Sequence, residues 1–221
     1  MNDMKKLCLF DLDGTLIDPY EAMTKGMQFA LVQNGIDMPD RDFLKCFIGP
    51  PVRDSLRDFL NISDPEKIEQ IYSKYLDYFA EHGVYENTLY PGVVEMLAEL
   101  KKAGLGLAIA TSKRMLNAQA IAEYLKIDHY FDVIIGCETD GTRSRKSEVI
   151  EYVLEKIDPQ RQCLAIMIGD RKYDIIGAKE TGISSVGITW GYGSREELEK
   201  EQPTLVVDSM AELCDWLILG K

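Results

Sequence analysis

The sequence predicts an α/β protein with a Rossmann-like, doubly wound parallel sheet and an all-helical domain inserted after the first strand. Short apolar segments alternate with longer segments of helical periodicity, as in parallel sheets joined by crossover helices. Some of these segments are apolar throughout, as in "LAIMIGD", which is typical of strands covered on both faces. Only helical patterns occur between Ile17 and about Tyr85, which indicates an insertion.

Six apolar segments are predicted as the strands of the sheet. They are Leu7–Phe10, Leu105–Ala110, Val133–Ile135, Leu164–Ile168, Ser185–Ile188 and Leu205–Val207. Segments with helical periodicity separate them, and those assigned to the core are residues 93–104, 115–127, 146–157, 174–182 and 209–220. Gly104 closes the first of these helices as a C-terminal stop signal.

The inserted segment is predicted to form a cap domain. Its helical patterns cover residues 20–35, 51–60 and 65–83, and we expect no strand among them. We therefore expect a core of residues 1–16 and 87–221, and a helical cap of residues 17–86. Because the insertion leaves the carboxyl end of a strand, where open α/β sheets bind their ligands, we expect it to act as a lid.

The bulk composition excludes several classes of function. A formal net charge of -12 argues against a nucleic-acid-binding surface. No apolar segment approaches the ~20 residues needed to span a membrane, and the chain shows no secretory signal pattern. The five cysteines have no metal-finger spacing and are expected to be reduced thiols. We expect a cytoplasmic protein that is a monomer or a weak homodimer.

Polar side chains follow three of the predicted strands directly. Asp11 and Asp13 end the first, Thr111-Ser112-Lys113 follow the second, and Asp170 follows the "LAIMIG" strand. Asp174 lies four residues beyond Asp170, and Lys146 begins the helix after the "FDVIIG" strand. The carboxyl ends of parallel strands meet at one edge of the sheet, so we expect these side chains to converge there.

Crowded carboxylates repel one another, and burial raises their pKa values. A divalent cation with oxygen ligands removes this cost, and Mg²⁺ suits a site with few carboxylates plus substrate phosphate and water. A hydroxyl and an ammonium can bind the remaining phosphoryl oxygens. One carboxylate can attack phosphorus, and a second carboxyl can protonate the leaving oxygen and then activate water. Gly14 allows the tight turn that brings backbone amides close to the phosphate.

These motifs resemble those of the haloacid dehalogenase superfamily. "DLDGTL", "ATS", an isolated lysine and "GDRKYD" occur in the order and spacing of its four motifs, and the resemblance covers essentially all 221 residues. The chain is most similar to the phosphatase branch with a helical cap after the first motif. "CFIGPPVRDSL" and "WGYGSREEL" are similar to 5'-nucleotidase-like and phosphoglycolate-phosphatase-like bacterial members. Many phosphoglycolate phosphatases have proline after the motif-three lysine, whereas this chain has Ser147.

The resemblance implies a role for each carboxylate. Asp11 would be the nucleophile and a metal ligand. Asp13 would be the general acid and base and would give the metal its backbone carbonyl. Asp170 would be the second metal carboxylate, and Asp174 would support the metal from the outer shell or bind it directly. The presence of Asp13 argues against a dehalogenase, which needs no such acid and no metal.

The substrate-binding residues implied or inferred are Thr111, Ser112, Lys146, Gly14 and Arg53. Thr111 and Ser112 can instead form an ordinary N-cap of the next helix. Arg143, Arg145 and Lys113 compete with Lys146 for the role of the catalytic lysine. Asp174 can be a first-turn helix charge, and Arg53 can be an exposed helix arginine.

The expected function is Mg²⁺-dependent hydrolysis of a small phosphate monoester, such as a nucleoside monophosphate or a phosphoglycolate-like compound, through an aspartyl-phosphate. A phosphomutase of the β-phosphoglucomutase type is a second enzyme hypothesis. A non-catalytic phospho-acceptor module, similar to receiver domains, is the alternative from a different class. The expected partner is a small-molecule phosphate ester, with no nucleic acid polymer and no membrane.

Overall fold

The computed structural model describes residues 5–220, so residues 1–4 and 221 of the expected core lie outside the described residues. Within this range the strands are β1 (Lys6–Phe10), β2 (Ile17–Asp18), β3 (Thr88–Leu89), β4 (Gly106–Arg114), β5 (Val133–Cys137), β6 (Leu164–Gly169), β7 (Ser184–Ile188) and β8 (Leu205–Val207). The α-helices of this range are α1 (Tyr20–Gln33), α2 (Arg41–Leu44), α3 (Val52–Leu60), α4 (Pro65–Tyr78), α5 (Val93–Lys102), α6 (Met115–Tyr124), α7 (Lys146–Ile157), α8 (Lys172–Thr181), α9 (Arg195–Lys200) and α10 (Met210–Leu219).

The central sheet is parallel throughout, with the strand order β5-β4-β1-β6-β7-β8. The chain starts at the middle strand, builds outward on one side and then returns to build the other side. This is the doubly wound order, and the predicted α/β fold class is confirmed. Because β4 and β6 flank β1, the residues that follow these three strands lie at neighbouring positions of one edge.

The six predicted strands all occur in the sheet, and apart from the end of β4 each strand end lies within two residues of its predicted position. The largest difference is in β4, which we expected to end at Ala110 and which continues to Arg114. Its ladder with β5 shifts register after Ala110 and resumes where Arg114 pairs with Cys137. Thr111 and Ser112 therefore lie in extended backbone within an irregular strand end rather than beyond the strand.

Both faces of the sheet are covered, which explains why its strands are continuously apolar. Successive side chains of β1 point to opposite faces. Leu7 and Leu9 pack in a cluster with residues of α7, whereas Cys8 and Phe10 pack in a second cluster that includes residues of α5 and α10. None of the helices described between residues 5 and 220 combines the length and apolarity needed to cross a bilayer.

The inserted segment contains α1 to α4 and a π-helix at Phe79–Gly83. We expected no strand in this interval, and that expectation is wrong for β2. Ile17 pairs with Leu89 and Asp18 with Thr88, so an antiparallel two-stranded ribbon joins the insertion to the core. A two-residue strand is too short to show periodicity and depends on a partner about 70 residues away. The division into cap and core at residues 16/17 and 86/87 stays a prediction.

Candidate active site

Three buried carboxylates meet at the carboxyl edge of the sheet. Asp11 directly follows β1, Asp170 directly follows β6, and Asp174 lies in the first turn of α8. One oxygen from each carboxylate lies within 4.8 Å of an oxygen of the other two. β1 and β6 are paired up to Phe10 and Ile168, and the Asp11 amide donates to the Ile168 carbonyl at 2.9 Å. The strand register therefore fixes the distance between Asp11 and Asp170.

Lys146 joins two of these carboxylates. Its Nζ lies 3.0 Å from Asp11 Oδ1 and 2.8 Å from Asp174 Oδ1, and it donates to the Ala110 carbonyl at 3.0 Å. Burial acts to lower the pKa of Lys146, but the charges of Asp11 and Asp174 outweigh it and raise that pKa. The ammonium is thus held charged against both carboxylates. Of the candidate lysines and arginines, Lys146 is the one in contact with Asp11.

The competing basic residues lie elsewhere. Arg145 pairs with Glu180, and Arg143 pairs with Glu138. Lys113 was considered only as a competitor, yet its Nζ lies 2.6 Å and 2.9 Å from the two oxygens of Asp13, and this ion pair is buried. Because β4 continues to Arg114, Lys113 and Thr111 are i and i+2 on an extended segment and project to the same side, which the predicted strand end at Ala110 does not indicate.

The pKa of Asp13 is raised by burial, and the charge of Lys113 acts in the opposite direction. Burial, and then the charges of Asp174 and Asp11, raise the pKa of Asp170 to about 8. Burial also raises the pKa of Asp174 to about 6, against the charge of Lys146. The cluster of Asp11, Asp170 and Asp174 therefore holds more negative charge than the Lys146 ammonium compensates.

Gly14 has a φ of 80°, in the left-handed region that favours glycine. A Cβ at this position would lie 2.3 Å from Asp170 Oδ2, so no other residue fits without displacing that carboxylate. The Gly14 amide donates to the Ile17 carbonyl at 2.9 Å. The observed reason for glycine is therefore the close approach to Asp170, and a direct substrate contact of Gly14 stays a prediction.

Thr111 and Ser112 line a cavity beside Asp11 and Asp13. The Thr111 Oγ1 accepts a hydrogen bond from the Lys113 amide at 3.2 Å. The alternative N-cap role is wrong for both residues, because α6 begins at Met115 with Arg114 as its N-cap residue. The extension of β4 moves the helix start away from them.

This cavity lies between the inserted helices and the sheet edge and has a volume of about 240 Å³. The insertion contributes Phe47, Pro51, Arg53 and Tyr72 to its lining. Arg53 pairs with Glu69, donates to the Thr139 carbonyl at 3.1 Å, and has its guanidinium carbon 3.8 Å from the centroid of the Tyr72 ring. Arg53 is therefore a fixed part of the cavity wall rather than a freely exposed helix residue.

The donor set fits a magnesium ion. Asp11, Asp170 and Asp174 offer only carboxylate oxygens, which Mg²⁺ prefers, and no sulfur or imidazole ligand joins the cluster within residues 5–220. Burial is the main cause of the raised pKa of Asp170, and no lysine or arginine forms an ion pair with it among residues 5–220. Asp174 is engaged by Lys146 and by the Arg171 amide at 3.1 Å, and its outer-shell role stays a prediction.

A further contact was missed by the sequence reasoning. The Tyr192 amide donates to Asp170 Oδ2 at 2.8 Å, and Tyr192 belongs to the "WGYG" segment that follows β7. The sequence indicates only a family resemblance for this segment and no contact with Asp170. The sheet order explains the contact: β7 lies beside β6, so the segment that follows β7 lies beside Asp170, which follows β6.

Known proteins resemble this chain over most of its length. The sequence profile described as "Haloacid dehalogenase-like hydrolase" matches residues 8–188. A 5'-nucleotidase from Pseudomonas aeruginosa is 40% identical over 206 residues, which are 93% of this chain and 92% of that protein. Tyrosine-protein kinase PtkA from Mycobacterium tuberculosis is 35% identical over 201 residues, which are 91% of this chain and 68% of that protein.

A solved structure is similar to this chain in both fold and sequence. The crystal structure described as a predicted phosphatase from Clostridium acetobutylicum has a TM-score of 0.92 to this chain at 38% sequence identity. The match covers 98% of this chain and 100% of that one. The similarity therefore includes the inserted helices as well as the sheet.

Proposed function

This chain belongs to the haloacid dehalogenase-like hydrolase family and is a phosphatase, and on that premise we propose that it is a Mg²⁺-dependent hydrolase of small phosphate monoesters that acts through an aspartyl-phosphate. The observation that carries the proposal is the contact of Lys146 with both Asp11 and Asp174, beside Asp170. It combines a carboxylate nucleophile, a fixed cation and a metal-binding donor set in one buried site.

In the first step, a carboxylate oxygen of Asp11 attacks phosphorus and the bond from phosphorus to the ester oxygen breaks. The electron pair leaves with that oxygen, which takes a proton from the carboxyl group of Asp13. In the second step, water attacks phosphorus, Asp13 accepts its proton, and the bond from Asp11 to phosphorus breaks. The presence of both carboxylates in the wall of one cavity supports this division of roles.

Lys146, Thr111 and Ser112 hold the phosphoryl oxygens in this proposal, the lysine by charge and the hydroxyls by donating hydrogen bonds. Asp11, the backbone carbonyl of Asp13 and Asp170 hold the metal, with Asp174 in support. Bound Mg²⁺ supplies positive charge that neutralises the phosphoryl oxygens. The buried position of Asp11, Asp170 and Lys146 supports strong electrostatic interactions in the site.

The substrate is a nucleoside monophosphate or a phosphoglycolate-like ester. The name of the Pseudomonas aeruginosa relative supports the first of these classes. The cavity wall formed by Phe47, Arg53 and Tyr72 contacts the leaving group and selects it. The cytoplasmic location and the state as monomer or weak homodimer stay predictions.

Replacing Asp11 by the isosteric amide tests the proposal. D11N removes the nucleophile and should abolish Mg²⁺-dependent turnover of p-nitrophenyl phosphate. D158N is the matched control, because Asp158 is also buried but binds the amides of Gln162 and Cys163, and it should keep turnover. Phosphate release without a bisphosphate activator would argue against a phosphomutase. Full turnover by purified D11N would disprove the proposal.

A further inference from the structure

The loop Trp190–Gly193, which follows β7, lies directly on the Asp170 carboxylate. The Tyr192 amide donates to Asp170 Oδ2 at 2.8 Å, whereas the Thr15 hydroxyl donates to Asp170 Oδ1 at 3.3 Å. The amide is thus the closer of the two hydrogen-bond donors to this buried carboxylate. Each donor thus contacts a different oxygen of Asp170.

Gly191 allows the loop backbone to come this close. A Cβ on Gly191 would lie 2.4 Å from Asp170 Oδ2 and 2.3 Å from the Gly14 carbonyl oxygen. Contacts below 3.0 Å require something to shift. The backbone of Gly191 does not have a positive φ, so an alanine there tests the close approach alone.

The same loop also contacts the ribbon that joins the inserted helices to the sheet. The Tyr192 hydroxyl donates to Asp18 Oδ1, and the Trp190 Nε1 donates to the Thr15 carbonyl at 3.1 Å. Asp18 belongs to β2 and pairs with Thr88 of β3. β2 and β3 are the segments through which the chain enters and leaves the inserted helices.

We propose that the loop Trp190–Gly193 is a positioning element that fixes the metal-binding carboxylate of Asp170 and ties it to the β2–β3 ribbon. Tyr192 is the residue that contacts both, through its amide and through its hydroxyl. The inference rests on the proposed function in taking Asp170 as a metal ligand. It goes beyond that function because it assigns metal positioning and ribbon positioning to one loop.

The two contacts of Tyr192 have separable consequences. Partners that orient a ligating carboxylate contribute to metal affinity, so the amide and Gly191 control Mg²⁺ binding. The ribbon joins the sheet to the inserted helices that line the cavity, so a change in its position should alter kcat and KM together, as changes at hinge residues do. The hydroxyl therefore affects turnover and KM without changing metal affinity.

The experiment compares three variants by titration calorimetry with MgCl₂ on metal-stripped protein, and by kcat and KM with p-nitrophenyl phosphate. G191A should weaken the Mg²⁺ Kd by about 10-fold or more. Y192F keeps the amide, so its Mg²⁺ Kd should stay within about 2-fold while kcat and KM both change by about 3-fold or more. Thermal unfolding of each metal-free variant records any general loss of stability.

Y90F is the matched control. Tyr90 directly follows β3, its amide donates to the Leu16 carbonyl at 3.1 Å and its side chain is half-buried, but its hydroxyl makes no hydrogen bond within residues 5–220. Y90F should change neither the Mg²⁺ Kd nor kcat and KM. Equal effects of Y90F and Y192F on kcat and KM would overturn the assignment of the hydroxyl.

If G191A does not fold, the wild-type protein still decides the question. In protein labelled with ¹⁵N-tyrosine, the Tyr192 amide resonance, assigned by its absence in Y192F, should shift on addition of MgCl₂. An unmoved resonance at saturating Mg²⁺, or a folded G191A with the wild-type Kd, would overturn the inference. Wild-type protein that binds no Mg²⁺ would instead overturn the metal-dependent function on which the inference rests.

Discussion

The Lys113 ammonium contacts both carboxylate oxygens of Asp13, at 2.6 Å and 2.9 Å. Both side chains are buried, and the ring centroid of Phe79 from the inserted segment lies 5.0 Å from the Lys113 Nζ. The proposed general acid is therefore held by a core lysine under an aromatic ring of the cap. This contact gives Lys113 a defined place beside the proposed chemistry.

Replacing Lys113 should affect esters according to their leaving group. K113M leaves Asp13 without its partner, and breaking a buried pair should lower the free energy of unfolding by about 3–5 kcal/mol at pH 8. It should also reduce kcat/KM more for alkyl phosphates than for p-nitrophenyl phosphate, because only poor leaving groups need a well-placed proton. Urea unfolding and steady-state kinetics measure the two effects.

K113R is the control for this prediction, because an arginine can keep the ion pair with Asp13. It should recover part of the stability and part of the selectivity between alkyl and aryl esters. Equal losses of kcat/KM for both ester classes in K113M would show that Lys113 does not act through the proton transfer by Asp13.

Lys146 should be essential, whereas its neighbour should not. K146Q removes the ammonium between Asp11 and Asp174 and should lower kcat by about 100-fold or more, since it removes a fixed charge aimed at the phosphoryl oxygens. R145Q removes only a surface pair with Glu180 and should stay near the wild-type rate. Steady-state kinetics compare the two, and similar rates in both variants would contradict the role of Lys146.

The stability of the metal-free protein should fall as the pH rises. The folded-state pKa values of Asp174 and Asp170 are raised to about 6 and about 8, so the folded protein binds these protons more tightly than the unfolded chain does. The associated stability is fully present below pH ~4 and is lost as the pH rises through both values. Mg²⁺ should bind the ionised carboxylates and restore this stability.

Thermal unfolding with and without MgCl₂ at pH 5.5 and pH 8.5 measures this effect. The increase in Tm on adding Mg²⁺ should be larger at pH 8.5, because fewer protons must be displaced from the carboxylates there. D170N carries no titrating group at this position and should lose most of the difference. An equal or larger Mg²⁺ effect at pH 5.5 would contradict the raised pKa values.

Gly14 should tolerate alanine much less than a glycine of similar backbone conformation does. Gly14 and Gly35 have φ values of 80° and 69°, but a Cβ would meet Asp170 only at Gly14 and would meet nothing within 4 Å at Gly35. G35A should cost about 1 kcal/mol of unfolding free energy from the positive φ. G14A should cost more and should also weaken Mg²⁺ binding by about 10-fold or more.

Urea unfolding and calorimetric titration with Mg²⁺ separate the two contributions of Gly14. The difference between G14A and G35A isolates the steric contact with Asp170. Unchanged Mg²⁺ affinity in a folded G14A would show that the close approach to Asp170 does not matter for the metal.

The sheet and most of the site could be predicted because both depend on local patterns. Strands buried on both faces are continuously apolar, and the residues after Phe10 and Ile168 must share one edge once the strands are parallel. Lys146 could be inferred from its position at the start of a helix. Each of these inferences needs only the order of elements along the chain.

The remaining contacts depend on distances that the sequence does not encode locally. The β2–β3 ribbon joins residues about 70 positions apart through two residue pairs, and Tyr192 reaches Asp170 only after β6 and β7 have paired. The Lys113–Asp13 pair similarly requires β4 to remain extended beyond Ala110. Such contacts require the assembled fold, because no single segment contains both partners.

Chemical trapping on Asp11 tests the central claim most directly. Wild-type protein turning over a phosphate ester with Mg²⁺ is quenched with borohydride, which reduces an acyl phosphate to an alcohol, and the peptide that contains residues 11 to 13 is sequenced by mass spectrometry. Homoserine at position 11, absent without substrate, is the expected result. An unmodified Asp11, with homoserine at another aspartate or at none while phosphate is released, would contradict the account.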